Sequence, residues 1–301
     1  MGVYDSFELR DFYRINISPG ALRADMDIQL NSELHRKFGF SFLLLLACFT
    51  LASIATASEE GRKLAQQVYD RPSGRDSSLR ATMTLKGKNQ STRVRELSIL
   101  GLDQGKGERW SLIRFSFPPD IEDTGLLTLD HPGDENDQWI YLPALDRVRL
   151  IASNRKGGRF VGSDFTYEDL RDRETNMDEH SIEGVSTVGG VECTQLASVP
   201  VDSNNSIYSK RVSCIHLATL TPLQVDFYIK GGSKPAKRLL ARKLKKIQGY
   251  WTILQSTMYD LRTGTQTQLE TTNIKYDMGI PKGLFSKRGL SDPDSERQYE
   301  P

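Results

Sequence analysis

The 301 residues carry 40 Lys and Arg against 39 Asp and Glu, a net charge of +1, and 26% of the chain is charged. That balance sets up no global field of the kind that draws in nucleic acid or acidic partners. The aromatic residues (12 Phe, 11 Tyr and 3 Trp) are ample for one packed interior.

Taken in order, residues 1–25 stand ahead of a segment that reads as a complete leader starting at Met26, and they are expected to be a non-native upstream extension set by the choice of start site. Residues 26–57 have the build of a secretory signal peptide: basic His35, Arg36 and Lys37, an apolar run from Phe38 to Ile54, and small Ala55, Thr56 and Ala57 at the cleavage subsites. The mature chain would begin near Ser58. A membrane anchor is the alternative reading, but the run falls short of the ~20 residues a span needs and is interrupted by Ser41, Thr50 and Ser53. Leu45-Leu46-Ala47-Cys48 also has the look of a lipobox, in which Cys48 would be acylated and tether the protein. The apolar stretch Phe49 to Ala57 that would then follow is unlike the polar linker of a lipoprotein.

Residues 58–290 read as a single domain. Glu59 to Asp70 places Leu64, Val68 and Tyr69 at helical spacing and stops at Pro72-Ser73-Gly74. Strand-like alternation then runs through Leu79–Leu85, Val94–Leu102, Trp110–Phe117, Leu126–Leu129, Trp139–Leu142 and Arg147–Ile151. It resumes at Val191–Val199, Ile207–Leu217, Val225–Lys230, Leu239–Ile247, Tyr250–Leu261 and Gln266–Tyr276. Between the two sets, Asp164 to Arg173 reads as a capped helix. So many regularly spaced strands with few helices imply a mainly β fold with one large antiparallel sheet that must curl or close, and a curved sheet needs helices to cover its apolar face. Residues 291–301 are polar and expected to form a flexible tail.

Cys193 and Cys214 flank the turn-rich Asp202-Ser203-Asn204-Asn205-Ser206, so a hairpin would bring them opposite each other as a disulfide in an exported protein. Two buried thiols in neighbouring strands are the alternative. No Gly-x-Ser-x-Gly, His-Glu-x-x-His or Cys-x-x-Cys occurs, and His131, His180 and His216 are scattered. The chain is therefore expected to be neither an enzyme nor a holder of a metal or cofactor. On a helix, Asp164, Glu168 and Asp172 would share one face and could hold a hard cation. The plainer reading makes Ser163 or Asp164 the cap and the early acids partners of the helix's positive end. The basic run Lys234 to Lys246 could meet anionic lipid, or could simply be a strand pair with a solvated outer face. Ile113, Phe115, Phe117, Trp139, Tyr141 and Phe227 read first as ordinary core; if the sheet is too large for two helices to plug, some of them line an apolar ligand pocket instead.

Six stretches resemble the outer-membrane lipoprotein-sorting protein family, the LolA-like group. They are Phe117-Pro118-Pro119-Asp120, Thr124-Gly125-Leu126-Leu127, Trp139 to Ala144, Arg147-Val148-Arg149, Phe160 to Leu170, and Leu284 to Leu290. The resemblance spans roughly Glu59 to Leu290. It departs at Ile121-Glu122-Asp123, where the family has a basic residue and a glycine. The resemblance implies a half-barrel of the LolA/LolB type whose concave face shelters acyl chains, in a periplasmic carrier. That carrier would deliver lipid or lipoprotein toward the outer membrane, with an inner-membrane lipid transporter as partner. A lipid-sensing regulatory or scaffold module on the same fold is the alternative.

Overall fold

The structure is a computed structural model that describes residues 6–8, 59–89, 91–133 and 137–301. The expected signal peptide, Cys48 and the upstream residues other than 6–8 lie outside the described residues. Helix α1 covers 59–69. It is followed by strands β2 (Asp76–Lys86), β3 (Thr92–Asp103), β4 (Arg109–Phe117), β5 (Gly125–Asp130), β6 (Asp137–Leu142) and β7 (Arg147–Leu150). After a long connection come β8 (Asp178–Val188), β9 (Val191–Pro200), β10 (Tyr208–His216), β11 (Thr221–Ile229), β12 (Lys237–Ile247), β13 (Tyr250–Asp260) and β14 (Thr265–Tyr276). A short backbone strand, β1 (Ser6–Glu8), pairs with β12. Among the described residues no helix is long and apolar enough to cross a membrane.

The sheet is antiparallel throughout and runs β7-β6-β5-β4-β3-β2-β14-β13-β12-β11-β10-β9-β8, so it is an open half-barrel with β7 and β8 at its free edges. Sequence alternation missed β8. Its apolar residues Ile182, Val185 and Val188 fall three apart: a bulge between Ile182 and Gly184 accounts for the first interval, and Val188 lies on the opposite face, against Cys193. An edge strand exposed along alternate positions also offers little apolar signal.

Register alone defines the inner face. Ile140 sits opposite Leu126, Leu126 opposite Ile113, and Ile113 opposite Ile99. Beyond β2 the same face continues through Thr267, Met258, Leu239 and Val225 to Ser213. Residues one step out of phase point the other way, since side chains alternate across a strand. On β4, β5 and β6 those are Leu112, Leu127, Trp139 and Tyr141, and they pack against the end of the chain: Ile280, Leu284, Phe285 and Leu290. The first strands are therefore buried on both faces.

Three pieces make these covers. Helix α1 lies over β8–β10, with Leu64 and Ala65 against Leu196 and Ile215. Gly61 permits this contact, because a Cβ there would come 2.7 Å from the His180 carbonyl oxygen. The connection 151–177 crosses the inner face from one free edge of the sheet to the other. The C-terminal segment, with the short helix α2 (Lys287–Leu290) and a 3-10 turn at Pro293–Tyr299, covers the outer face of β3–β6.

Two expectations are corrected here. Asp164 to Arg173 is not an α-helix: it contains a single 3-10 turn, Glu168–Leu170, with Tyr167 at its start and extended backbone at Arg171. The polar end is not a frayed tail either, because Glu296 is only 2% exposed and its Oε1 accepts from Arg114 Nε at 2.7 Å. Arg114 also donates to the carbonyls of Asp123 and Leu290, both at 2.8 Å, so this inward-pulled charge ties the chain end to β4.

Cys193 and Cys214 are joined as a disulfide, with Cα atoms 5.3 Å apart. They lie diagonally on adjacent β9 and β10, next to Leu223.

Two measurements check this architecture. Glu296→Ala leaves a buried guanidinium without its carboxylate and should lower stability by about 3 kcal/mol, read as a shift of the urea midpoint at constant slope. An unchanged midpoint would mean that the chain end is not part of the folded unit. Replacing Cys193 and Cys214 by Ser should lower stability by about 2–4 kcal/mol, and reductant should do the same to the native protein but not to the variant.

Candidate functional site

The strap, residues 151–177, decides how much of the inner face stays open. Its first half, joined by Tyr167 and Leu170 of the second, fills that face over β2–β6. Phe160 is 1% exposed and stacks on Phe115 with ring centroids 5.5 Å apart, while Val161, Tyr167 and Leu170 pack into the same cluster. Val161 holds a left-handed backbone (φ 46°), uncommon for a β-branched residue, and Arg95 of β3 donates to its carbonyl. Gln138 Nε2 donates to the Tyr167 carbonyl at 3.0 Å.

The acidic cluster of the strap is a set of fasteners, each aimed at a different part of the sheet. Asp164 accepts from Thr265 Oγ1 at 2.6 Å and Thr267 Oγ1 at 2.7 Å, both on β14. Glu168 accepts from Ser206, from the Ile207 amide at 2.8 Å, and from Arg211 of β10 at 3.0 Å. Asp169 accepts from Tyr208 at 2.7 Å and from Lys237 of β12. Asp172 takes Arg109 Nη1 of β4 at 2.6 Å, and its own amide donates to Asp130 of β5 at 2.7 Å. The cation-site reading of Asp164, Glu168 and Asp172 is thus corrected: without a helix they share no face, and each carboxylate already has protein donors. Among the described residues no group of three or more His, Cys, Asp or Glu is placed to hold a metal.

Lys237 was hidden in the basic run. It is 3% exposed and turned inward to Asp169 and the Tyr208 hydroxyl. Its only sequence signal is its parity with Leu239 and Ala241. Beside Asp169 and under heavy burial, the Tyr208 hydroxyl is held far above its usual range, so it stays a neutral donor.

The six sequence candidates do not share one open face. Ile113 and Phe115 are on the inner face but sealed beneath Phe160. Trp139 and Tyr141 are on the outer face under the C-terminal segment, because Ile140 between them is the inward residue. Phe117, at the end of β4, is 44% exposed. Phe227 alone borders a cavity on the inner face.

That cavity, about 250 Å³, lies under the strap's second half; Phe165, Tyr208, Val225, Phe227, Leu239 and Met258 give it a largely apolar wall, and the charged Glu168, Asp169, Arg171, Arg173 and Arg211 also line it. The Tyr208 and Phe227 rings are 4.8 Å apart. Arg173, Arg211 and Ser213 line both this cavity and a neighbouring chamber of about 440 Å³ between α1, the strap's end and β8–β11. Only the pairing of β10–β13 with a partial cover makes this pocket. Nothing in the spacing of Val225, Leu239 or Met258 announces it, since buried core strands alternate in the same way.

The chamber's charged wall is ordered by ion pairs. Arg173 clasps Asp178 through Nε and Nη2, both at 2.9 Å, and Arg211 Nη1 reaches the same carboxylate at 3.1 Å. Arg109 lies over the Tyr69 ring at 4.2 Å and donates to the Tyr69 carbonyl at 2.7 Å, tying α1 to the strap through Asp172. Burial, with Asp172 nearby, pushes the Tyr69 hydroxyl up to about 12. His180 is a packed histidine, with Ser198 Oγ at 2.9 Å and the Thr175 carbonyl at 2.8 Å.

Asp130 stands apart. Burial raises its carboxyl to about 7, against the pull of the Asp172 amide and of Arg171, whose Nε is 3.9 Å from Oδ1, and that Oδ1 has no hydrogen-bond partner. Because the folded state then holds a proton that the unfolded state has released, stability should fall as pH rises from about 4 to about 7 and level off above. Asp130→Asn should remove that slope while leaving an oxygen for the Asp172 amide. Relative to the native protein it should gain on the order of 2–4 kcal/mol between pH 4 and pH 8 in urea titrations. Parallel pH profiles for the two proteins would refute the assignment.

A protein-family profile described as an uncharacterized protein matches residues 107–292. No curated protein matches the chain. Among solved structures, one described as an outer membrane lipoprotein-sorting protein domain from Vibrio parahaemolyticus is 31% identical, with a TM-score of 0.74 over 78% of this chain and 99% of that one. A DUF1329 family protein from Desulfovibrio piger is 27% identical, with a TM-score of 0.74 and the same two coverages. A LolA superfamily protein from Nitrosomonas europaea shares the fold at 14% identity, with a TM-score of 0.60 over 77% of this chain and 99% of that one. With this sheet, these covers and this identity along nearly the whole of the Vibrio domain, the chain belongs to the LolA-like family of outer-membrane lipoprotein-sorting proteins.

Proposed function

We propose that the protein is a non-enzymatic carrier that shelters an acyl chain of a lipid or lipoprotein in the periplasm and hands it on toward the outer membrane, with an inner-membrane lipid exporter as its source. The observation that carries this reading is the apolar pocket of Phe165, Tyr208, Val225, Phe227, Leu239 and Met258, left open on the inner face of a lipoprotein-sorting fold. Burial is the driving force. Each methylene taken out of water contributes about 0.8 kcal/mol, so even a short length of chain is held without any specific polar contact.

The pocket is small beside the roughly 300–1,000 Å³ of ordinary ligand sites. Loading a full chain therefore requires the strap's second half to move outward or the ligand to run on into the adjoining chamber. The strap's first half, with Phe160 sealed on Phe115, acts as fixed core in this mechanism, and release follows when an acceptor offers a drier site.

Leu239→Asp, at a half-buried position on the pocket wall, should leave the near-ultraviolet spectrum native-like and weaken binding of a fluorescent fatty-acyl probe by at least about tenfold, because a carboxylate would have to be desolvated beside the chain. Phe227→Asp should do the same or worse. Leu145→Asp, on the exposed surface, should bind as the native protein does. Native mass spectrometry that finds no lipid on the protein purified from its own periplasm, together with no probe binding, would overturn the carrier reading.

A further inference from the structure

Within the chamber beside the apolar pocket, one cation differs from the rest. Arg109, Arg173 and Arg211 each face carboxylates at 2.6–3.2 Å. Arg71, just past the end of α1, forms no ion pair among the described residues. Its Nη1 donates to the Val68 carbonyl at 2.9 Å, and the residue lines the chamber. Burial lowers its pKa despite the nearby Asp172, whose carboxylate is taken up by Arg109. A half-buried guanidinium with four uncommitted N–H groups is an arrangement that an incoming anion relieves, and its planar fork matches a phosphate. Ser73 and Ser213 line the same space, as do Asp172, Glu174 and Asp178.

We infer that the chamber is a head-group site for an anionic phosphate-bearing lipid, with Arg71 meeting the phosphate and Ser73 and Ser213 beside it, while the acyl chain enters the pocket past Arg173 and Arg211. The inference rests on the carrier reading and narrows it. An acylated protein terminus carries no phosphate, so this site favours a glycerophospholipid-type cargo over a lipoprotein. The chamber volume of about 440 Å³ leaves room for a phosphate with a further polar substituent.

The test compares two probes with the same single acyl chain, lysophosphatidylglycerol and monoacylglycerol, by calorimetric titration below their micelle concentrations, with glycerol phosphate as a third ligand. The native protein should bind the anionic probe at least about tenfold more tightly than the neutral one, with an advantage that shrinks as salt is raised. Arg71→Gln should erase most of that advantage and leave monoacylglycerol binding within about twofold, and Arg71→Lys should keep part of it. Equal affinity for both lipids, or an equal loss for both in Arg71→Gln, would overturn the head-group site and leave the acyl carrier standing. Glycerol phosphate binding as tightly as the lysolipid would also overturn it, as a free-anion site unconnected to the chain. If neither lipid binds, the carrier reading itself fails.

Discussion

The whole arrangement depends on four carboxylates that hold a long connection across the inner face of an open sheet. Asp164, Glu168, Asp169 and Asp172 lie within nine residues of one another, yet they engage β14, the turn before β10, β12 and β4 respectively. An open sheet of this size has no closing hydrogen bonds between its edge strands to set its curvature. A strap that starts at one edge, ends at the other and is fastened between them supplies that constraint.

These contacts say more about position than about stability. The Lys237–Asp169 pair is almost fully buried on both sides. Burying such a pair carries a desolvation penalty that its attraction only partly offsets, so an apolar substitute of the same shape could be as stable. What the charged pairs contribute is registry. A strap held only by Phe160 and Phe165 could slide along the sheet, whereas carboxylates that must each meet one donor set have a single solution.

The two halves of the sheet differ in how they are covered, and the difference locates the pocket. Strands β3–β6 are enclosed by the strap inside and by the C-terminal segment outside, and they form continuous core. Along β10–β13 the strap contributes Phe165 and then polar side chains that reach down to Tyr208, Lys237 and Arg211, which hold it off the floor formed by Val225, Leu239 and Met258. The same fasteners that fix the strap thus prop open the space beneath its second half. Helix α1, tied in through Arg109 and Asp172, walls off the polar chamber alongside.

Alternation and turn residues by themselves determined most of the strands and the leading helix, because a half-buried antiparallel strand writes its period into neighbouring residues, while six short stretches carried the family resemblance. They could not reveal β8, whose bulge erases the period, or the true shape of 164–173, where helical spacing of acids came from sheet contacts rather than from a helix. Trp139 and Tyr141 show the deeper limit. Their apolar character was legible, but a sheet buried on both faces makes inward and outward residues look alike, and only pairing across β5 assigns them to the outer side. The polar end looked like a tail because one buried Glu296 among charged neighbours carries no local signature, and its partner Arg114 lies 182 positions earlier in the chain. The pocket, likewise, is a gap between strands and a strap distant in sequence, so tertiary structure alone decided where it lies.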